Sequence, residues 1–164
     1  MKDVSHDIRS EFWDAMEDVT EGMLGFDDGH LIPMSPKVRE DVNDGKIWFV
    51  SVKGNRLYEG AKDGGKPARL VVSERSEGIW ADIQGVLSTV DDKTILEDVW
   101  SPFASAWLDD GKDDPDAVLL CFTPSVANVT LTDDSAITFI YQMAKAALTD
   151  SKPDLDGWSG EITL

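Results

Sequence analysis

The chain has 164 residues, is 41% apolar, and carries 32 acidic against 15 basic side chains, a net charge of −17. That length suits one domain, residues 1–164, with a hydrophobic core that needs no disulfide or metal. The charge excludes nonspecific nucleic-acid binding and docking on an anionic membrane, which both need the opposite sign. The single cysteine, Cys121, rules out an internal disulfide, and its apolar neighbours make it a packed thiol. No apolar run approaches the roughly 20 residues of a membrane span. Residues 1–7 are polar and acidic, without the apolar centre of a signal peptide, so the expected location is cytoplasmic.

Residues 4–18 predict an amphipathic helix. Val4, Ile8, Phe12, Met16 and Val19 recur every three or four residues, Asp7, Glu11, Asp14 and Asp18 take the wet side, and Asp3 or Ser5 caps the start. Residues 20–26 and 30–35 read as a hairpin around Asp27-Asp28-Gly29. In its second strand His30, Ile32 and Met34 share a face, and Pro33 demands an edge or a bulge.

After the turn Asn43-Asp44-Gly45 comes a central strand, Ile47-Trp48-Phe49-Val50-Ser51-Val52. Ile47, Phe49 and Ser51 take one face and Trp48, Val50 and Val52 the other, and both faces are mostly apolar, so both are expected to be covered. The strand leaves through a basic loop with Lys53, Asn55 and Arg56. Such an exit can offer backbone amides and cations to an anionic ligand, or it can be a solvated turn after a core strand. Residues 55–61 suggest two helical turns, and Gly64-Gly65-Lys66-Pro67 breaks the chain.

Residues 68–73 form a strand, and a turn at 74–77 leads to a long alternating one. There Ile79, Ala81, Ile83, Gly85 and Leu87 face one way, Trp80, Asp82, Gln84, Val86 and Ser88 the other, and Gly85 marks a bend. Asp91 or Asp92 caps a helix carrying Ile95, Val99 and Trp100, which Pro102 ends or kinks. Residues 103–108 read as packed apolar chain. A strand at 117–123, interrupted by Pro124, resumes or continues over 125–132. A last helix, capped by Asp134 or Ser135, carries the stripe Ile137, Ile140, Ala144, Leu148, and the tail alternates through Trp158, Gly160, Ile162 and Leu164. Six or seven strands, hairpin-connected in the first half, suit an antiparallel barrel with peripheral helices.

Chemical motifs are scarce. The acidic loop 109–116 lacks calcium-loop spacing, the two histidines stand apart from other metal ligands, and neither a nucleophile elbow nor a phosphate loop is present. No residue is singled out as catalytic and no metal is expected. His30 is placed as a pocket residue beside Ile32 and Met34. Trp13, Trp100 and Trp158 are assigned to packing, whereas Trp48 and Trp80 lie on outward faces that a helix or a second subunit would cover. A homodimer is therefore expected.

The segment His30–Met34, the strand Ile47-Trp48-Phe49-Val50-Ser51, the dipeptide Gln84-Gly85 and residues 113–120 occur in this order in a known family. Together they resemble the general stress protein 26 group of the pyridoxamine 5'-phosphate oxidase-like split barrels. The resemblance implies a homodimeric, six-stranded antiparallel split β-barrel with flavin mononucleotide (FMN) at the dimer interface. It implies that Trp48, Phe49, Val50 and Ser51 run along the flavin ring with main-chain hydrogen bonds, and that Lys53, Asn55 and Arg56 meet the phosphate. Ile32, Met34 and Gln84 complete the implied cofactor set. Relatives usually carry Arg where this chain has Ile32, and many carry Trp where it has Asn128-Val129-Thr130. Two functions follow as expectations: a flavin-binding stress protein with an oxidoreductase-like or flavin-storage role, or a dimeric barrel that has lost flavin and acts as an interaction protein. A third reading puts another anion or an apolar ligand in the cleft at His30 and Ile32.

Overall fold

The protein, seen in a computed structural model, is described over residues 4–42, 44–132, 136–150, 152 and 157–164, with the side chains of 4–7 and 136–140 left aside. The expected caps Asp3, Ser5, Asp134 and Ser135, the turn residue Asn43, and the stripe side chains Val4, Asp7, Ile137 and Ile140 therefore lie outside the described part.

Helix α1, Val4–Glu17, lays Ile8, Phe12 and Met16 into the main core and leaves Glu11 and Asp14 in water, as its periodicity dictates. Phe12 and Met16 are fully buried, each worth about 1.5–3 kcal/mol of apolar transfer. The hairpin β1 (Gly22–Phe26) and β2 (Ile32–Met34) follows, with Pro33 exposed on β2. Strand β3 is Ile47–Val52, helix α2 Arg56–Ala61, β4 Lys66–Glu74 and β5 Ile79–Val90. Then come α3 (Lys93–Asp98), α4 (Pro102–Ser105), a short 3-10 turn at Gly111–Asp113, β6 (Ala117–Thr132), α5 (Ala136–Thr149) and β7 (Gly157–Thr163).

All strand pairs are antiparallel, in the order β2-β1-β4-β5-β6-β3, with β7 on the second half of β6. The six strands curl into a nearly closed barrel with a seam between β2 and β3, as the split-barrel expectation required. At the seam Lys37, three residues past β2, pairs with Trp48 of β3. The curl has a local cause at Gly85, where the β5–β6 register shifts and Ser125 of β6 is the extra residue. A Cβ at Gly85 would stand 2.4 Å from the Thr123 carbonyl oxygen, so only glycine fits the bend.

Both faces of β3 are covered. Ile47 and Phe49 enter the barrel core, while Trp48 and Val50 pack in a second cluster with Leu96 and Val99, against Leu119 and Cys121 of β6. Trp48 is thus covered by the α3 segment of its own chain. Asp92 caps α3 by accepting a hydrogen bond from Ile95 N at 3.1 Å.

Several readings are corrected. Lys66 and Pro67 belong to β4, where Pro67 lies beyond the reach of β1, which pairs only Ala68–Val71. Pro124 does not interrupt β6. Pro102 opens α4 at its first turn, a position that needs no amide donor. The chain after it is not packed: Phe103 is 74% and Trp107 82% exposed, between the buried anchors Ser101 and Leu108. On α5, Ala144 and Leu148 are exposed, Leu148 by 87%. His30 is exposed too. Among the described residues no helix is long and apolar enough to cross a membrane.

Candidate functional site

The seam is built by the backbone. Lys37 and Trp48 exchange both main-chain bonds, Lys37 N to Trp48 O at 2.9 Å and Trp48 N to Lys37 O at 2.8 Å. Because strand polarity alternates, the N–H and C=O of Val50, two residues on, lie on the same open edge, while Phe49 turns its own toward β6. The strand therefore offers main-chain donors and acceptors along the seam. The side chains of Trp48, Phe49 and Ser51 are buried, and Val50 is half-buried, so this stretch presents mainly backbone.

Trp48 is locked in place. Its indole Nε1 donates to Asp44 Oδ2 at 3.0 Å, and Arg39 joins Asp44 (3.6 Å) to Asp98 (2.8 Å), tying the 36–44 segment to α3. The hydrogen bond to Asp98 leads the causes that raise the Arg39 pKa. Across the seam, Ile32 and Met34 are half-buried and pack on the barrel core, forming an apolar wall.

The basic loop divides. Lys53 donates its N–H to Asp116 O at 2.9 Å, and its side chain lines a cavity of about 460 Å³ with Tyr58, Thr89, Lys93, Lys112 and Asp113. Lys93 bonds Asp113 at 2.7 Å, which holds the Asp113 carboxyl below its usual range. Asn55 spends its side chain capping α2, accepting from Leu57 N at 2.8 Å. Arg56 reaches the other way, with Nη1 donating to the His30 carbonyl at 2.6 Å, just ahead of β2. The close approach depends on Gly29, whose Cβ would collide with that guanidinium. Among the described residues neither Lys53 nor Arg56 forms an ion pair. In a chain of net charge −17 that leaves two cations available to an anion.

Gln84 stands apart. Strand β5 lies on the wall away from the seam, and Gln84 lines a second cleft of about 390 Å³ with Asp27, Arg69, Gly85 and Ser125. Beside it Arg69 grips Asp82 with two hydrogen bonds, the main cause that lowers the Asp82 pKa. One chain thus brings Ile32, Met34, the β3 edge and Arg56 to the seam. It places Lys53 in a neighbouring cavity and Gln84 on the far wall. Sequence reasoning missed Lys37, which sits behind Pro36 outside any periodic run, and the Arg69–Asp82 pair, which only the β4–β5 register brings together.

The fold and its sequence have close counterparts. A family profile described as pyridoxamine 5'-phosphate oxidase like matches residues 7–154. A solved structure from Jannaschia sp. CCS1, assigned as a general stress protein 26, is 43% identical with a TM-score of 0.86, covering 98% of this chain and 99% of that one. A general stress family protein of Xanthomonas campestris pv. campestris is 31% identical over 82% of this chain and 93% of its own, with a TM-score of 0.68. A general stress FMN/FAD binding protein of Xanthomonas citri is 30% identical over 79% of this chain and 92% of its own, also with a TM-score of 0.68. No curated protein matches the chain.

Proposed function

The chain belongs to the pyridoxamine 5'-phosphate oxidase-like family, and on that premise we propose that it binds a flavin, FMN, along the β2–β3 seam as a homodimeric general stress protein. The open edge of β3 carries this reading: Val50 turns unshared backbone polarity toward the seam, where a flat heteroaromatic ring with alternating donors and acceptors can take main-chain hydrogen bonds. A general stress protein of Xanthomonas citri, 30% identical, is named as binding FMN/FAD, which supports the ligand class.

Within this reading Ile32 and Met34 form the apolar floor, and Trp48, Phe49 and Ser51 hold the edge rigid from behind. Arg56 and Lys53 supply positive charge for the phosphate, with Asn55 fixing the loop that carries them. Gln84 reaches a flavin only from a second copy, since it lies on the far wall of its own chain. A bound flavin supplies the redox chemistry, and the protein supplies position and charge. The role read from the resemblance is oxidoreductase-like or flavin storage, and among the described residues no seam side chain is assigned as an acid or base.

A second reading is favoured by one observation. Ile32 replaces the usual arginine, while Asn55 and Arg56 already spend hydrogen bonds within the chain. A dimeric barrel without flavin, acting as an interaction protein with a basic partner, fits those facts. A visible spectrum of the freshly purified protein, followed by titration with FMN and with riboflavin, separates the two. Bound flavin or tight quenching supports the first reading. No binding at micromolar flavin leaves the second.

A further inference from the structure

The seam gives a task to only one wall residue, Lys53, of the cavity of about 460 Å³ at the end of β3. That volume is ordinary for a small-molecule site. Strand alternation explains its position. Counting by twos from Leu87 and Leu120, both in the barrel core, Thr89 and Val118 continue the inward rows of β5 and β6 toward the barrel end. Tyr58 of α2 packs against the same core, and Lys53 follows the last residue of β3. The apolar part of the wall is Val90, Leu96 and Leu119, which belong to the second cluster, the one that covers Trp48.

The polar groups of the cavity divide into spent and unspent. Lys93 is bound to Asp113 at 2.7 Å, and Lys112 faces Glu97 at 3.9 Å. Asp92 accepts from Ile95 N, and Asp114 accepts from the amides of Asp110 and Asp116 at 3.3 and 2.9 Å. Among the described residues the Lys53 ammonium and the Tyr58 and Thr89 hydroxyls have no side-chain hydrogen bond or ion pair. An ammonium only donates and a hydroxyl can donate, so this unspent set suits the oxygens of an anion.

The rest of the wall narrows the class of anion. Four aspartates, Asp91, Asp92, Asp113 and Asp114, stand against three lysines, an excess of one negative charge. That excess opposes a doubly charged phosphate more than a singly charged group. The apolar wall disfavours a small hydrated ion, which would lose water there without gaining partners. A single carboxylate on an apolar body meets both conditions.

We propose that this cavity binds a small monocarboxylate, with its carboxylate on Lys53, Tyr58 and Thr89 and its apolar body against Leu96 and Leu119. Lys53 is the one group shared with the flavin reading, and the site stands whether or not flavin binds at the seam.

The test is calorimetric titration of the full chain with hexanoate, phenylacetate and cinnamate, and with three analogues of phenylacetate that change its charge. These are phenylacetamide (neutral), phenethylamine (cationic) and phenyl phosphate (dianionic). At least one carboxylate is expected to bind, and each analogue of phenylacetate to bind more weakly than phenylacetate itself. Lys53→Met is expected to weaken carboxylate binding about ten-fold, as for one charge-assisted contact. Tyr58→Phe and Thr89→Val, which each remove one hydroxyl, are expected to weaken it several-fold. Lys62→Met on α2, which removes a lysine outside the cavity, is expected to leave it unchanged. Circular dichroism checks folding, and FMN titration of Tyr58→Phe and Thr89→Val is expected to match wild type. No binding of any of the three carboxylates at millimolar concentration would overturn the proposal. So would an amide or amine that binds as well as the acid, or cavity variants that bind like wild type. FMN affinity falling together with carboxylate affinity in Tyr58→Phe would make the cavity part of the flavin site and overturn it as a separate one. A wild type that binds carboxylate but no flavin would count against the flavin reading alone.

Discussion

Lys37 and Trp48 trade two main-chain hydrogen bonds across the seam, and by doing so they decide how far the barrel opens beside β3. Lys37→Pro removes the donor to Trp48 O. The expected loss is about 0.5–1.5 kcal/mol for the bond itself. Urea unfolding checks the stability loss, with protection of the Trp48 amide in hydrogen exchange reporting whether the seam opens.

Gly85→Ala places a methyl 2.4 Å from the Thr123 carbonyl oxygen and 2.9 Å from Phe122 in the barrel core. The β5–β6 bulge has no slack for it, so the variant is expected to lose about 1–3 kcal/mol. The change is read from the urea midpoint, and an unchanged midpoint would mean that the bend does not depend on glycine.

Ile32→Arg places a guanidinium on β2 at the seam. A charge-assisted phosphate contact is worth about 1.5–3 kcal/mol, or roughly ten- to a hundred-fold in affinity. FMN affinity is therefore expected to rise and riboflavin affinity to stay level, because riboflavin has no phosphate. Parallel fluorescence titrations of the two flavins measure the difference.

The Arg69–Asp82 pair gives a pH signature. The hydrogen bonds from Arg69 lower the folded-state pKa of Asp82 below that of the unfolded chain. The unfolded chain then binds its proton first as pH falls, so the stabilisation is full above the unfolded value of about 3.9. It is lost as pH drops through the lower folded value. Both side chains are a third or more exposed, which limits the gain to about 1 kcal/mol or less. Asp82→Asn is expected to be less stable than wild type at neutral pH and level with it in strong acid. Urea titrations at several pH values provide the check.

Much of this fold could be read from local signals. The alternation from Ile79 to Leu87 gave the faces of β5, and a glycine inside it marked the bulge that the register confirms at Gln84 and Gly85. The two apolar faces of β3 likewise announced a strand covered on both sides. Phe103, Trp107 and Leu148 misled because apolar periodicity reports a face that seeks cover without saying which molecule provides it. The candidate site was less legible still. Lys37 gains its position from a bridge to a strand eleven residues on, and Arg56 turns to His30 because Gly29 leaves room. Such contacts depend on how strands curl together, which spacing along the chain does not encode.

The central claim is that a flavin lies along the seam, with Arg56 holding its phosphate there and Lys53 adding positive charge from the neighbouring cavity. The most direct measurement compares FMN binding by wild type and by the double variant Lys53→Ala with Arg56→Ala, using quenching of flavin fluorescence. The account predicts binding by wild type, and loss of at least ten-fold in FMN affinity in the double variant, roughly one charged contact. Equal affinities in the two proteins, or no binding by wild type at micromolar flavin, would contradict it.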